Sequence, residues 1–258
     1  MASKKEMLLR VGAALGREAP TPVPSPLAAF SCDTTGGTAE SLIAQFCAEA
    51  EKVGAQVARV QSSDEIKSYL AGMLSSDKPE VVALSNSKAV HDSGIREWFI
   101  SQDIQIIPSL KEFALIEPNT NTGERQSAHR PSTNESEISK GNGASLRSSY
   151  QRALMAASLG VTSADYAIAD TGTLVLVSGN EQHRLISLLP PTHLCLLDSS
   201  RVVANLSSLL ACVSGEYQRS KTPPLAMTFI TGPSRTADIE LTLTVGVHGP
   251  CQQHILIH

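Results

Sequence analysis

No stretch of this sequence approaches the roughly 20 consecutive apolar residues that a helix needs to cross a bilayer. The one N-terminal candidate, MLLRVGAAL, is interrupted by Arg10, so neither a signal peptide nor a membrane span is expected and the chain reads as cytoplasmic. A dominant charge is also missing. The formal net charge is -4 over 258 residues, with Lys, Arg, Asp and Glu interspersed, which removes the electrostatic basis for expecting nucleic acid or an anionic membrane as a partner. Cysteines are few and scattered: Cys32, Cys47, Cys195, Cys212 and Cys251 nowhere reach the Cys-x-x-Cys spacing that holds zinc or an iron–sulfur cluster. No metal site and no cluster are expected in this chain, and most of the thiols read as reduced, buried, small hydrophobes. The chain also lacks a Gly-x-x-x-x-Gly-Lys-Ser/Thr phosphate loop, a Gly-x-Gly-x-x-Gly dinucleotide fingerprint, a Gly-x-Ser-x-Gly nucleophile elbow and a His-Glu-x-x-His zinc helix.

What is present is 41% hydrophobic content, enough for a substantial core. The pattern predicts one domain over residues 1–258, with a helical arm over 1–30, where a helix from Lys4 to Leu15 is stopped by EAPTPVPSP. A helix from Thr38 to Val53, capped by Thr38, places Leu42, Ile43, Phe46 and Ala50 on one face and leads to a strand from Gln56 to Val60. Helices are expected over Asp64–Met73, Ala89–Phe99, Leu110–Ile116 and Ser148–Leu159, and strands over Glu80–Leu84, Ile104–Ile107, Tyr166–Ala169 and Leu174–Val177. Beyond these, His193–Leu197, Leu225–Ile230 and His254–Ile257 read as strands, Val202–Cys212 as a helix, and the chain after Glu240 as extended. Short apolar strands alternating with helices predict an α/β fold: an open, mostly parallel sheet with helices on both faces. The segment 117–147 has almost no apolar residues to repay its own ordering and reads as a flexible polar insertion, His129, Arg125 and Arg130 included.

Three polar clusters stand out. In IADTGTLVL, Asp170, Thr171 and Thr173 surround Gly172 at a strand boundary, where backbone N–H groups can cradle an anion; the same residues suit an ordinary turn that bonds its own backbone. HRLISLLPPTHLCLLD offers Arg184, whose planar fork matches a carboxylate or phosphate, and His193, an imidazole whose ordinary pKa suits proton transfer. Each also has a bland reading, as a surface ion pair and a packed, hydrogen-bonded core residue. TFITGPSRTADIE gathers Thr231, Gly232, Ser234, Arg235, Thr236, Asp238 and Glu240, and GVHGP adds His248 between glycines. Because ITGPSRT directly follows a strand, it is expected at the carboxyl end of the sheet, where open α/β sheets bind ligands.

Taken in order, KEMLLRVGAALG, ADYAIADTGTLVL, SLLPPTHLCLLD, TFITGPSRTADIE and GVHGP resemble the lactate utilization protein C family, the LUD domain. The resemblance implies an open α/β fold similar to the ribose-5-phosphate isomerase, glucosamine-phosphate deaminase and CoA-transferase group. It also implies that the chain works with two iron–sulfur partner subunits to oxidise L-lactate to pyruvate, as a component of that complex, with its own cofactor unknown. Carried onto this sequence, the motif residues are Asp170, Thr171, Gly172, Thr173, Arg184, Pro190, His193, Thr231, Gly232, Pro233, Ser234, Arg235, Thr236, Asp238, Glu240, His248 and Gly249. Asp170 stands where glutamate is expected in many relatives, a carboxylate shorter by one methylene.

Two readings of different class follow. In one, the chain binds a small carboxylate or a phosphate-containing cofactor, with Arg235 and Arg184 on the anion and His193 or His248 assisting proton transfer. In the other, the same motifs fix loops and dock the iron–sulfur partners, making the chain a non-catalytic assembly or regulatory subunit. A stand-alone sugar-phosphate isomerase or CoA-transferase ranks below both, because fold alone does not carry function.

Overall fold

The computed structural model describes residues 38–75, 78–110, 112–113, 146, 148–178, 184–220, 226–237, 243–246 and 248–258. The expected N-terminal arm, nearly all of the 117–147 insertion, and Asp238 and Glu240 lie outside the described residues.

The first described helix, α1 (Ala39–Lys52), starts where Thr38 accepts a hydrogen bond from the Ser41 amide at 3.2 Å and buries Leu42, Ile43, Phe46 and Ala50 along one stripe. It ends at Gly54, in the left-handed region at φ 90°, and the chain turns directly into β1 (Gln56–Arg59). Helix α2 (Ser63–Met73) begins with a reciprocal cap: Ser62 accepts from the Glu65 amide, and the Glu65 carboxylate accepts from the Gln61 amide. Strand β2 (Val81–Leu84) follows. The single helix expected over Ala89–Phe99 is two, α3 (Lys88–Asp92) and α4 (Ile95–Ser101), because Gly94 takes a left-handed φ of 68° between them.

Strands β3 (Gln105–Ile107), β4 (Leu159–Ala164), β7 (Thr192–Leu197) and β12 (Gln252–Ile257) complete a six-stranded sheet of order β1-β12-β7-β4-β2-β3, parallel throughout. Helices α2 to α4 cover one face, packing Ile66, Leu70, Val90, Ile95 and Phe99 on Val82, Leu84, Val161, Leu194 and Leu256. On the other face α1 sets Phe46 and Ala50 over Cys195, Leu197 and Ile255. Tyr150 and Leu154, from the helix over 148–156 (α5), pack with Ala83 and Ile107. Helices on both faces of an open parallel sheet are the expected α/β architecture, and no described helix is long and apolar enough to cross a membrane.

Two features depart from the expectation. The central strand β4, LGVTSA, begins on the last residue of the helix expected to Leu159 and continues through residues given no element, yet all six of its residues are buried. A second, four-stranded mixed sheet of order β8-β5-β6-β9 is formed by β8 (Val202–Val203), β5 (Tyr166–Ile168), β6 (Thr173–Ser178) and β9 (Ala226–Ile230). It lies between α1, through Ala167, Ala169, Leu174 and Leu176, and α6 (Leu206–Ser220), through Leu209 against Tyr166, Ile168 and Val175. The helix expected at Val202 therefore starts later, because β8 pairs with β5 first. The extended chain after Glu240 appears as β11 (Leu243–Val245), which pairs antiparallel with β10 (Arg235–Ala237). Among the described cysteines, Cys195 is buried, Cys47 and Cys212 are half-buried, and Cys251 is exposed.

Candidate functional site

The DTGT turn joins β5 to β6. Gly172 adopts φ 61° and lies so close to the Ala50 amide and the Glu49 carbonyl carbon that any side chain there would collide with the last turn of α1. The turn is thus seated on the carboxyl end of that helix. Thr173, only 5% exposed, donates its hydroxyl to Thr171 Oγ1 at 2.8 Å and shares a second 2.8 Å hydrogen bond with Thr231 Oγ1. A hydroxyl has one proton, so Thr173 accepts from Thr231, and the relay runs Thr231 to Thr173 to Thr171. The Thr171 proton is left to donate at the exposed end, beside exposed Asp170, whose amide donates to the Ala204 carbonyl.

The TGPSR turn leaves β9 and reaches the same helix end. Gly232, at φ 77°, lies against the Val53 carbonyl, and Pro233 sits beside Gly54. Arg235 Nη2 donates to the Val53 carbonyl at 2.7 Å, placing a cation at the negative end of the α1 dipole while its guanidinium stays exposed. The Ser234 amide donates to the Pro250 carbonyl, the Gly246 amide donates back to the Ser234 carbonyl, and Gly249 abuts the Ser234 side chain. The Cys251 amide donates to the Pro191 carbonyl at 2.7 Å, tying this loop to the di-proline turn before β7. Four motifs distant in sequence are therefore assembled beside the amino ends of β1, β7 and β12. This corrects the placement of ITGPSRT at the carboxyl edge: β9 belongs to the second sheet, antiparallel to β6, so the carboxyl-end rule for parallel strands does not apply to it.

Thr236 lies in β10 opposite Thr244, and His248 is exposed next to Gly249. Arg184 is exposed at the start of a 3-10 turn (Arg184–Ser187) whose Ile186 carbonyl rests on Gly160, under the Pro190 ring.

His193 takes the packed, hydrogen-bonded character of its bland reading rather than that of a proton-transfer imidazole of ordinary pKa. It is 1% exposed, its Nε2 shares a 2.8 Å hydrogen bond with Thr162 Oγ1, and its Nδ1 has no partner. Burial, helped by the neighbouring His254, pushes its pKa down to about 4, so it is neutral at physiological pH. The residue beside it across the β7–β12 ladder is Gln253, also 1% exposed, whose amide nitrogen and oxygen both lack partners. On the opposite face His254 shares a hydrogen bond between Nδ1 and the Tyr69 hydroxyl at 2.9 Å, has an unpartnered Nε2, and is pushed below the usual histidine range by burial. Neither Gln253 nor Thr162 was singled out from sequence; the one available signal was a polar pair, QQ, opening an otherwise apolar strand run. Among the described residues no group of three or more His, Cys, Asp or Glu side chains is arranged to hold a metal ion.

The LUD domain family model matches residues 43–258. The chain belongs to the LUD domain family. It is 38% identical over 101 residues to "Lactate utilization protein C" of Geobacillus sp. (strain WCH70), covering 39% of this chain and 42% of that protein. It is also 42% identical over 94 residues to the protein of the same name from Halalkalibacterium halodurans, covering 36% and 41%. The matched segment thus spans about two fifths of these relatives. A DUF162 family protein of Deinococcus radiodurans, known from its crystal structure, aligns over 86% of this chain and 98% of that one, with 17% identity and a TM-score of 0.49.

Proposed function

We propose that this LUD-domain protein is a component of an L-lactate utilisation system, acting with iron–sulfur partner subunits. In this reading the platform built on the carboxyl end of α1 holds a small carboxylate. The observation that carries it is the pair of donors left facing outward on one helix end. The Thr231–Thr173–Thr171 relay ends in an unspent hydroxyl proton, and the exposed Arg235 guanidinium gives one hydrogen bond to Val53. Oxidation of lactate to pyruvate releases two electrons and two protons; iron–sulfur clusters of the partners would accept the electrons, and the role of this chain is to hold and orient the anion. His193, neutral and buried, serves as a hydrogen-bonding group in the sheet and does not store a proton.

A second reading has its own observation. Gly172, Gly232 and Gly249 are all explained by close packing, and Arg235 caps a helix, which suits motifs that shape a docking surface for the iron–sulfur partners. Reconstituting the chain with those partners and following lactate-dependent dye reduction separates the two. Anion binding predicts that Arg235→Ala raises the lactate KM at least about tenfold, with Arg235→Lys recovering part because a point charge cannot make the forked contact. An unchanged KM with weakened co-purification of the partners overturns the carboxylate role in favour of docking. Lactate-dependent reduction by the partners alone, at the same rate, overturns both.

A further inference from the structure

The chain leaves the main sheet twice at its carboxyl edge: β4 passes through Asp165 into β5, and β7 passes through Asp198 and the Ser199–Arg201 turn into β8. Between these exits and α6 lies a cavity of about 540 Å³, at the opposite edge of the main sheet from the platform. Tyr166 and Val203 come from the second sheet, Cys212, Gly215, Glu216 and Arg219 line the α6 side, and Arg201 stands at the exit from β7. Space beyond the carboxyl ends of parallel strands, where the chain diverges to different layers, is where open α/β sheets receive ligands.

Two guanidiniums, Arg201 and Arg219, and two carboxylates, Asp198 and Glu216, line this cavity, and each carboxylate is engaged within the wall. Asp198 is occupied, accepting from the Ser200 amide at 2.8 Å and the Ser200 hydroxyl at 2.7 Å. Glu216 accepts from Arg201 Nη1 at 3.3 Å, and the Tyr166 phenol is pushed up by burial and then by the nearby Glu216 carboxylate. Arg201 spends that one N–H on Glu216 and stacks over the Tyr166 ring, 5.5 Å from its centroid, so its fork is held in place with most of its donors unspent. Arg219 makes no hydrogen bond to any described residue, and its Nη1 lies over Gly215. Glycine is a poor residue for the interior of a helix. A Cβ at this position would meet Arg219 Nη1 at 3.9 Å, an ordinary contact, so only a longer side chain would fill the space beside it.

We propose that this cavity is an anion-binding site, in which the Arg201 and Arg219 guanidiniums hold a phosphate or carboxylate group while the Tyr166 ring and Val203 receive an apolar or planar part of the same molecule. Its size suits a ligand larger than a three-carbon acid, in the range of a mononucleotide or a tricarboxylate. The site takes no part in the reading of the platform and stands or falls independently of it.

Half-buried Cys212 on the wall provides a local reporter. In the full chain carrying Cys251→Ser, which removes the exposed thiol, alkylation of Cys212 is followed by peptide mass spectrometry with AMP, adenosine or citrate at millimolar concentration. Protection by AMP but not by adenosine identifies phosphate as the recognised group, and protection by citrate identifies carboxylate. Either result should be weakened at least about tenfold in Arg219→Ala and in Gly215→Leu, which fills the cavity while favouring the helix. Thermal melts of both variants no lower than that of the parent show that the loss is local. If neither anion protects Cys212, or if protection survives both substitutions, the site does not exist as described.

Discussion

Gln253→Met should make the protein more stable. Gln253 is 1% exposed near the amino end of β12, an interior strand of the parallel sheet, and both polar atoms of its amide lack partners. A buried polar atom without a partner forfeits its hydration, at about 1–3 kcal/mol each. Methionine has nearly the same length, is unbranched, and adapts to irregular space, so it should fill the position without strain. The expected net gain is about 1–3 kcal/mol rather than the full two-atom sum, because imperfect packing of the thioether offsets part of it. In a domain of this size each kcal/mol corresponds to a Tm shift of about 2–4 °C, so differential scanning calorimetry and urea unfolding can both read the effect. Gln253→Ala is the control: it also removes the amide but opens a void, and should fall below Gln253→Met in stability. A loss of 1 kcal/mol or about that in Gln253→Met, with an unchanged urea m-value, would refute the reasoning, since it would show that the amide is bonded in solution.

Acidification should destabilise the fold before the carboxylates titrate. His193 is depressed from 6.5 to about 4 and His254 is shifted in the same direction, so between these values the unfolded chain binds more protons than the native one and stability falls as pH drops. The His193 share reaches about 3 kcal/mol by pH 4, and a stability profile that is flat from about pH 6.5 to 4.5 would contradict it. Gly172→Ala should cost at least about 2 kcal/mol, because a left-handed φ and a collision with the α1 backbone act together, whereas Gly72→Ala, on α2 with open space around it, should gain up to about 1 kcal/mol in the same melts.

Much of the framework was legible because local pattern and final environment agree. Thr38 before an apolar stripe specifies where α1 starts, and the apolar runs of β2, β7 and β12 suit strands covered on both faces, whatever their neighbours. The family, too, was readable in the ordered motifs from ADTGT to GVHGP. Strand β4 was not, because LGVTSA has no continuous apolar run. It is buried because a carbonyl from Ile186 needs the bare backbone of Gly160, and because Thr162 finds His193 on the adjacent strand.

The same distinction holds for the candidate site. That Asp170 to Thr173 and Thr231 to Thr236 form polar turns follows from their composition, but that Thr173 meets Thr231, 58 residues away, follows only from the antiparallel pairing of β6 with β9. The amino-edge location of these turns, and the neutrality of His193, were likewise decided by tertiary structure. Propensity and capping act within a few residues and are written locally. Strand register, desolvation and the direction of a sheet's edge depend on which segments become neighbours, and those neighbours are chosen by the packing of the whole chain.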